Sequence, residues 1–432
     1  MEVKSYCVIG EKLGHTLSPA IHAEFFRRIG LDAQYCAVPV AQDRIDDARA
    51  LLARYDGVNV TVPYKQRVMP LLDGIADDAA QIGAVNTIVA RGGKLYGYNT
   101  DPYGFGAMLD SVGAQVRDRD CVVLGTGGAS KAVVHTLRSR GARVTLVSRT
   151  GGQTDGDVAC VGYDAIPQRF YLLVNTTPVG MFPQADGMPV SDEIVARCEV
   201  VADIVYNPML TRLLASGIAQ GKIVAGGLLM LVAQGIRSQE YWNDARYDMR
   251  TVLDVYGAIK ADFVRAERGN LYLIGMMGCG KTTLGKELAR RCGKEYLDTD
   301  AWIERNANQS VSQLFEQGED VFRAWERKAI AYAATRRDCV VSTGGGCVSS
   351  AFNTAAMRAS GLVCLIDRPI DEIARTCDCD SRPLLRRGVD ALREIYRARE
   401  PIYRAAADLA IDNSATPDAG LRQLLTTVGN TL

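Results

Sequence analysis

The stretch GMMGCGKTT, residues 275–283, constrains the fold of this chain more than any other. It follows the apolar run LYLI and precedes the helix-like segment LGKELARR. Two glycines that frame four residues and are followed by Lys and Thr are the pattern of a phosphate-binding loop between a strand and a helix. In such a loop the backbone N–H groups and the helix N-terminus face an anion, the Lys reaches the phosphates and the Thr can ligate Mg²⁺. The motif predicts that ATP or a similar nucleotide is bound by Gly278, Cys279, Gly280, Lys281, Thr282 and Thr283.

The position of this loop indicates a chain of several domains. About 270 of the 432 residues precede it, and they need a fold of their own. A hydrophobic content of 47% and a charged content of 23% are ordinary for a compact soluble protein. Lys and Arg total 50, as do Asp and Glu, so no excess of positive charge favours nucleic acid or an anionic membrane. We therefore expect small-molecule partners, no nucleic acid and no membrane, in a chain that is compatible with a homo-oligomer.

The N-terminus and the cysteines point to the cytoplasm. MEVKSYCVIG lacks a basic segment followed by a long apolar core, and no later run approaches the roughly 20 apolar residues of a membrane span. The 12 cysteines include no CxxC pair, which predicts reduced and mostly structural thiols.

The first hundred residues alternate strand-like and helix-like runs, which predicts an α/β unit. The strand-like runs cover residues 6–9, 34–40 and 57–62, and the helix-like runs cover residues 19–29 and 44–55. Ser18 is a candidate N-cap of the first helix. Alternatively, the hydroxyls of Thr16 and Ser18 lie beside a helix N-terminus, where a ligand carboxylate would be stabilised. The segment by itself leaves both interpretations open.

Polar residues follow the later strands of this unit. A hairpin turned at the GG of residues 92–93 leads to the segment GYNTD. The residues concerned are Thr61, Lys65, Asn86, Asn99, Thr100 and Asp101. Amide, hydroxyl, ammonium and carboxylate groups at strand ends indicate a site for a polyol.

The motifs HTLSP, NVTVPYK, AVNT and GYNTD, in this order and spacing, resemble the substrate domain of shikimate dehydrogenases. The resemblance implies that Thr16 and Ser18 bind the substrate carboxylate. The family usually has Ser at the position of Thr16, which keeps the hydroxyl and adds a methyl group.

The same resemblance implies that Thr61, Asn86 and Asp101 bind ring hydroxyls, and that Lys65 and Asp101 form the catalytic pair. Reduction of a ketone requires a proton for the developing alkoxide, and a Lys hydrogen-bonded to a carboxylate can deliver it.

A second nucleotide motif lies in the middle of the chain. Residues 120–124 form a predicted strand that runs into GTGGAS and then a helical segment, which is a dinucleotide-binding pattern. The loop residues concerned are Gly125, Gly127, Gly128, Ala129 and Ser130. The next strand ends in Ser148, Arg149 and Thr150 rather than in the carboxylate expected for NAD, and Arg suits a 2′-phosphate. The pattern therefore predicts NADP(H).

The remaining motifs of this part, NTTPVGM, ADIVY and GGLLMLVAQG, continue the resemblance. Taken alone, Met230 is compatible with core packing and Gln234 with a solvated helix face. The resemblance instead implies that Gly227 and Met230 contact the cofactor, and that Tyr206 and Gln234 contact the substrate.

Beyond the phosphate loop, the segments DTD, FR, GGG, RPLL and PxYR resemble shikimate kinase over nearly all of residues 271–432. Asp298, at a strand end, is the residue best placed to hold water on Mg²⁺ together with Thr282. The resemblance implies that Asp300, Arg323, Gly345 and Arg404 bind shikimate. It also implies that Arg375 lies near the adenine.

One further arginine, Arg382, carries a catalytic expectation. The resemblance implies that it sits on a mobile lid that closes over ATP, and that Lys281 and Arg382 are the catalytic residues of this half. The lid segment RTCDCDSRPLL is unusually rich in Cys and Asp.

The predicted fold class is α/β. Residues 1–101 are expected to form a substrate-binding domain, 102–240 a Rossmann NADP domain, 241–268 helices that pack back on the substrate domain, and 271–432 a P-loop kinase domain with a parallel sheet flanked by helices. Together the resemblances imply NADPH-dependent reduction of 3-dehydroshikimate to shikimate and ATP-dependent phosphorylation of its 3-hydroxyl. The alternatives are an NAD-dependent quinate/shikimate dehydrogenase fused to a kinase of another small polyol, or a nucleotide-regulated binding protein with inactive sites.

Overall fold

The structure is a computed structural model that describes residues 3–14, 16–152, 158–376, 389–414 and 416–427. The chain divides into two compact units. The first consists of Met1–Leu213 and Ala225–Ile259, and the second of Leu214–Val224 and Lys260–Leu432. No helix within these described ranges is long and apolar enough to cross a membrane.

The first sheet is a mixed six-stranded sheet with the order β2-β1-β3-β5-β6-β4. Its strands are β1 (Lys4–Gly10), β2 (Ala33–Pro39), β3 (Gly57–Val60), β4 (Gly74–Ile75), β5 (Thr87–Arg91) and β6 (Lys94–Tyr98). Its helices are α1 (Ser18–Ile29), α2 (Arg49–Leu52), α3 (Asp77–Ile82) and α4 (Asp101–Asp110). β1 pairs in parallel with β2 and β3, and β5 pairs antiparallel with β3 and β6. Consequently the segments after β1 and β3 and the segment before β5 lie along one edge of the sheet.

The second sheet has the order β12-β11-β10-β7-β8-β9, and its strands from β11 to β9 pair in parallel. Its strands are β7 (Asp120–Leu124), β8 (Arg143–Val147), β9 (Ala159–Val161), β10 (Leu172–Asn175), β11 (Val200–Asp203) and β12 (Ile223–Gly226). The helices in this part of the chain are α5 (Gly128–Ser139), α6 (Asp192–Ala196), α7 (Arg212–Ala219), α8 (Leu228–Asn243), which packs against α1, α4 and β5, and α9 (Met249–Ala266). β7 lies between β8 and β10, so the loop after β7 opens at the point where the strand order reverses, which is where such sheets bind nucleotides.

The third sheet is parallel and five-stranded, with the order β14-β15-β13-β16-β17. Its strands are β13 (Asn270–Ile274), β14 (Glu295–Asp298), β15 (Cys339–Ser342), β16 (Gly361–Asp367) and β17 (Leu409–Asp412). Its helices are α10 (Lys281–Cys292), α11 (Thr299–Ala307), α12 (Val311–Gln317), α13 (Glu319–Thr335), α14 (Ala351–Ser360), α15 (Ile370–Thr376), α16 (Val389–Ala406) and α17 (Pro417–Thr427). β13 is central and wholly buried, which places the phosphate loop in the middle of the sheet edge.

These three sheets confirm the predicted α/β class, whereas one predicted helix is wrong. Residues 44–55 form only the single turn α2, preceded by turns. The segment before α2 contains Asp43, Asp46 and Asp47, and Asp side chains compete with the helix for backbone hydrogen bonds. The hairpin at residues 92–93 is confirmed, because Arg91 pairs with Lys94 and both intervening glycines have positive φ, as a tight hairpin turn requires.

Every cysteine that the structure describes is a free thiol. No group of three or more His, Cys, Asp or Glu side chains within the described ranges is arranged to hold a metal ion.

Candidate active sites

Lys65 and Asp101 form a close ion pair in the first unit. The ammonium of Lys65 donates to Oδ2 of Asp101 at 2.5 Å, and both side chains are largely buried. Asp101 is the first residue of α4, where the helix dipole stabilises a carboxylate. A Lys held by a buried carboxylate is a suitable proton donor for a bound ketone. The structure thus brings together the two predicted catalytic residues of this unit.

Asn86 fixes the other side of that carboxylate. Its Nδ2 donates to Oδ1 of Asp101 at 2.8 Å, and its Oδ1 accepts the backbone N–H of Thr100 at 2.8 Å. Gln234, on α8, lies beside this group, with Oε1 3.4 Å from Nδ2 of Asn86 and 3.3 Å from Oγ1 of Thr100. The structure therefore places Lys65, Asn86, Asp101 and Gln234 in one polar site.

The hydroxyls of Thr16 and Ser18 lie at the N-terminus of α1. The two oxygens are 3.3 Å apart, and α1 starts at Ser18 without a side-chain cap. Ser18 is therefore not the N-cap that the sequence suggested as one alternative, because the helix begins one residue earlier than that reading requires. Oγ1 of Thr16 accepts the N–H of Ser18 at 3.3 Å, and the N-cap residue, Leu17, caps none of the following N–H groups with its side chain. This arrangement fits the other interpretation, in which these hydroxyls and the helix end receive an anion.

Three other predicted residues lie at the ends of strands or helices. Thr61 directly follows β3, and Tyr206 lies beyond β11, where burial raises the pKa of its phenol. Met230 is buried in α8, and its backbone oxygen would lie 2.5 Å from a Cβ placed on Gly104. Gly227 permits a close backbone approach, since a Cβ there would lie 2.1 Å from the carbonyl oxygen of Ile204.

The dinucleotide loop lies close to Lys65. Gly125 has a φ of 103°, and a Cβ there would lie 2.9 Å from Oγ1 of Thr176. Ser130 donates to the carbonyl of Gly125 at 2.6 Å, which holds the turn. α5 begins without a side-chain cap, so its first N–H groups can face a pyrophosphate. A Cβ placed on Gly128 would lie 3.9 Å from Cδ of Lys65, so the loop and the polar site adjoin.

The end of β8 fits a 2′-phosphate. Ser148, Arg149 and Thr150 follow the strand directly, Arg149 and Thr150 are exposed, and residues 148–152 include no carboxylate. An exposed guanidinium with neighbouring hydroxyls is able to bind a phosphate, whereas NAD would call for a carboxylate here.

The phosphate loop of the second unit has its lysine folded onto the loop. Nζ of Lys281 donates to the carbonyls of Gly275 at 2.8 Å and Met276 at 2.9 Å. Gly280 has a φ of 104°, and α10 begins after it without a side-chain cap. The free helix N-terminus and the adjacent ammonium fit the phosphates of a nucleotide.

Two oxygen donors next to this loop suit Mg²⁺. Oγ1 of Thr282 lies 3.5 Å from Oδ2 of Asp298. The other oxygen, Oδ1, caps α11 by accepting the N–H groups of Asp300 and Ala301. A hydroxyl and one carboxylate oxygen leave room for waters and phosphate oxygens around the ion, as Mg²⁺ prefers.

A cluster of charged side chains surrounds the GGG segment. Arg323 donates to Oε2 of the buried Glu326 at 2.8 Å. A Cβ placed on Gly344 would lie 3.0 Å from Oδ1 of Asp300 and 3.1 Å from Oε1 of Glu326, and one on Gly346 would lie 2.4 Å from Nη1 of Arg323. Burial raises the pKa of Glu326, and the Arg323 guanidinium opposes that rise. Glycine is required here because any side chain would displace these groups.

Arg399 joins this cluster, although the sequence analysis did not single it out. It acts electrostatically on Glu326 and on Tyr403, and Tyr403 donates to the carbonyl of Gly345. Nη1 of Arg399 and Oε1 of Glu326 are buried and bond to no other described atom. A Cβ on Gly345 would lie 3.3 Å from the N–H nitrogen of Met277, so the cluster adjoins the phosphate loop. The available signal was the Arg two positions before the Pro of REPIY.

The structure does not bring Arg404 to this cluster. Its guanidinium is half exposed and pairs with Glu400 at 3.0 Å and Asp367 at 3.0 Å. The reason is helical geometry, because five residues along α16 turn Arg404 well away from the face of Arg399. Arg375 is exposed in the last turn of α15. Arg382 lies outside the described residues.

Comparison with known proteins agrees with this geometry. The family model described as "Shikimate dehydrogenase substrate binding domain" matches residues 8–88, and the one described as "Shikimate kinase" matches residues 277–429. A shikimate dehydrogenase (NADP(+)) of Clostridium beijerinckii is 41% identical over 266 residues, which cover 60% of this chain and 98% of that protein.

Solved structures resemble the N-terminal part. Shikimate dehydrogenase 1 from Peptoclostridium difficile superposes with a TM-score of 0.57 at 35% identity, covering 61% of this chain and all of that one. Shikimate 5-dehydrogenase from Thermus thermophilus, solved with NADP(H) and shikimate, has a TM-score of 0.53 at 31% identity, covering 59% of this chain and 98% of that one. The chain therefore belongs to the shikimate dehydrogenase family over its N-terminal part, continues as a shikimate kinase domain, and is a bifunctional enzyme of the shikimate pathway.

Proposed function

We propose that the first unit reduces 3-dehydroshikimate to shikimate with NADPH, and that the second phosphorylates the 3-hydroxyl of shikimate with Mg²⁺ and ATP. One observation carries this proposal: each unit places a site for a hydroxylated carboxylate directly beside its own nucleotide loop. In the first unit Gly128 adjoins Lys65, and in the second Gly345 adjoins Met277.

In the reductase site, the chain's own groups bind the substrate and supply the proton. Thr16 and Ser18 at the terminus of α1 bind the carboxylate, and Asn86 and Asp101 bind ring hydroxyls. When bound, NADPH supplies a hydride to the ketone carbon. Lys65 donates the proton to the ketone oxygen, and Asp101 holds its ammonium in place.

The remaining assignments of this site follow from position. Thr61 and Gln234 complete the hydroxyl contacts, and Tyr206 closes the site on the substrate side. Met230 and Gly227 line the nicotinamide side, and Arg149 binds the 2′-phosphate together with its neighbouring hydroxyls.

In the kinase site, the cluster around the GGG segment binds shikimate. Asp300 accepts from ring hydroxyls, while Arg323 and Arg399 bind the carboxylate. Arg399 replaces Arg404 in this assignment, since its buried Nη1 lacks a described partner whereas Arg404 already pairs with two carboxylates. When bound, ATP supplies the phosphoryl group.

The chain positions that phosphoryl group by charge. Lys281 and the N-terminus of α10 neutralise the phosphates, and Thr282 with Asp298 would hold Mg²⁺ directly or through water. The adenine contact of Arg375 and the lid role of Arg382 stay predictions.

Two single-half variants of the full chain test the proposal. Lys65→Ala should lower reduction of 3-dehydroshikimate by roughly 10²- to 10⁴-fold and leave kinase activity intact. Lys281→Met should abolish phosphorylation of shikimate and leave the reductase intact. NADPH oxidation and ADP release are measured separately on each variant, so each serves as the other's control.

The same assays distinguish the alternatives. Faster oxidation of NADH than NADPH, or use of quinate in preference to shikimate, would favour the NAD-dependent alternative. Absence of both turnovers in the unmodified chain would indicate a nucleotide-regulated binding protein.

A further inference from the structure

A buried cluster of amide and hydroxyl groups lies behind Asn86, on the side away from Lys65. It consists of Asn59 on β3, Thr87 on β5 and Ser238 on α8, and we call these three residues the support cluster. All three are buried, and Thr87 and Ser238 have no exposed surface. Residues so far apart in the chain are brought together only because α8 packs across the first sheet.

The hydrogen bonds of the support cluster have a determined direction at its outer end. Oδ1 of Asn59 accepts from the hydroxyl of Tyr35 at 2.7 Å. The amide is oriented by the backbone carbonyl of Asn86, which can only accept and lies 3.2 Å from Nδ2 of Asn59. The same Nδ2 donates to Oγ of Ser238 at 2.9 Å and to Oγ1 of Thr87 at 3.2 Å.

The direction is also determined at the inner end. Oδ1 of Asn86 accepts the N–H of Thr100, which can only donate, so this atom is the carbonyl oxygen of the amide. Oγ1 of Thr87, 3.0 Å from it, must therefore donate to it. Oγ of Ser238 lies 2.8 Å from Oγ1 of Thr87 and 3.1 Å from the backbone carbonyl of Gln234, so its single hydrogen is shared between these two acceptors.

These steps give one continuous series of donors that ends on the reductase carboxylate. Asn59 donates to Thr87, Thr87 donates to Asn86, and Ser238 lies beside Thr87 and accepts from Asn59. The last bond runs from Nδ2 of Asn86 to Oδ1 of Asp101 at 2.8 Å. If the Asn86 amide were rotated by 180°, its oxygen would face Oδ1 of Asp101, and two acceptors would repel each other. The hydrogen bonds of the support cluster oppose that rotation.

We infer that Thr87 and Ser238 are positioning residues of the reductase. By holding the Asn86 amide, they keep Oδ1 of Asp101 occupied and leave Oδ2 for the Lys65 ammonium. The inference rests on the proposed role of the Lys65–Asp101 pair. The simpler alternative is that the hydroxyls are buried groups that merely satisfy one another and contribute only to stability.

Three substitutions in the full chain separate these alternatives. Thr87→Val keeps the shape and removes the hydroxyl, and Thr87→Ser restores a donor. Thr136→Val is the matched control, because Thr136 is also buried in the first unit and donates only to the carbonyl of Ala132, at 2.9 Å in α5. For each variant, kcat for 3-dehydroshikimate, KM for NADPH and the melting temperature are measured.

The expected result is a fall in kcat of about tenfold or more for Thr87→Val, because the Asn86 amide loses a buried donor and a buried hydrogen-bond partner is worth about tenfold in the equilibrium between amide orientations. KM for NADPH should stay unchanged, and Thr87→Ser should recover most of kcat even if it melts earlier than the unmodified chain. Thr136→Val should lower the melting temperature without this loss of kcat.

The inference would be overturned if Thr87→Val and Thr136→Val had the same kcat. It would also be overturned if Thr87→Ser recovered none of the lost kcat. If Thr87→Val does not fold, Ser238→Ala provides the same test, with KM for NADPH reporting that the cofactor site is intact. Failure of the unmodified chain to reduce 3-dehydroshikimate would instead refute the proposed function itself.

Discussion

Arg399 and Arg404 lie on the same helix but differ in what surrounds them. Arg399→Ala should raise KM for shikimate by about 10- to 100-fold, because a charge-assisted bond to a carboxylate in a buried site contributes roughly 1.5 to 3 kcal/mol. Arg404→Ala should change it little, since exposed ion pairs contribute at most about 1 kcal/mol. Steady-state kinetics with shikimate as the varied substrate makes the comparison.

The two variants control for each other, since both remove one guanidinium from α16. Equal effects on KM would remove the reason for preferring Arg399. A large effect of Arg404→Ala alone would restore the assignment that the resemblance implied.

His22 makes the stability of the first sheet depend on pH. It is buried, stacks on Tyr35 with ring centroids 4.0 Å apart, and has Nδ1 2.8 Å from Nε2 of Gln239, which donates to it. Burial lowers its pKa from 6.5 to about 3, and the Asn59 amide offsets this only in part. Between these two values the unfolded chain binds a proton that the folded chain does not, so stability is lost as pH falls through this window.

Between pH 6.5 and pH 4, His22 should therefore lower the unfolding free energy of the first sheet by about 3 kcal/mol, at 1.36 kcal/mol per pH unit. Hydrogen exchange of the β1 and β3 amides, corrected for intrinsic exchange rates, reports the unfolding free energy of this region alone. His22→Phe keeps a stacking ring and should be less stable at pH 7 but lose less stability on acidification. An unchanged pH dependence in that variant would show that other groups cause the loss.

At the scale of elements, Asp298 has two roles that can be separated. One oxygen caps α11, and the other faces Thr282 at the expected Mg²⁺ position. Asp298→Asn should keep the cap, because Asn is an equally good N-cap residue, but lose the charge. The Asp298→Asn chain should keep the melting temperature of the unmodified chain. Its kinase activity should fall, and half-maximal activity should require a higher Mg²⁺ concentration.

Asp298→Ala should lose the same activity and also about 1 kcal/mol of stability in the second unit. Circular dichroism and Mg²⁺ titration of kinase activity are measured on both variants. Full activity of Asp298→Asn at ordinary Mg²⁺ would leave the residue with a capping role only.

At the scale of the whole molecule, the division between the two units falls inside α9, between Ile259 and Lys260. Lys260 and Asp408 show why the second half of this helix groups with the second unit. They form an ion pair of 2.7 Å in which neither side chain has any exposed surface. Asp408 also accepts the backbone N–H of Val363 in β16.

A kinase fragment should therefore require residues before the connection of α9 to β13, residues 267–269. A fragment of residues 249–432 keeps Lys260, whereas one of residues 267–432 leaves Asp408 with Arg358, whose Nε lies 3.9 Å from Oδ1, at a cost of up to about 3 to 5 kcal/mol. The longer fragment should be soluble and active, and the shorter one markedly less stable in urea. Lys260→Ala in the full chain should weaken the kinase in the same way, and equal stability of both fragments would contradict the role of the pair.

The sequence by itself determined the three strand–loop–helix units, both nucleotide loops and the choice of NADP. Those features depend on neighbours in the chain, such as the glycines of GMMGCGKTT, and on the identity of residues such as Arg149 at a strand end. The polar groups at strand ends were also recognisable in the sequence, whereas the antiparallel pairing of β5 with β3 and β6 brings those ends to one edge of the sheet. Lys65, Asn86 and Asp101 were identified as such groups.

Tertiary structure alone decided which side chains meet when their positions depend on packing between distant segments. Ser238 reaches Thr87, and Lys260 reaches Asp408, across about 150 residues each, and no local pattern encodes such a contact. Arg399 and Arg404 are equally basic in the sequence, and only the rotation of α16 against β16 and the GGG segment buries Nη1 of Arg399 while leaving Arg404 exposed. Burial and orientation are properties of the packed molecule, and for that reason the sequence could name the chemistry of each site without naming all of its members.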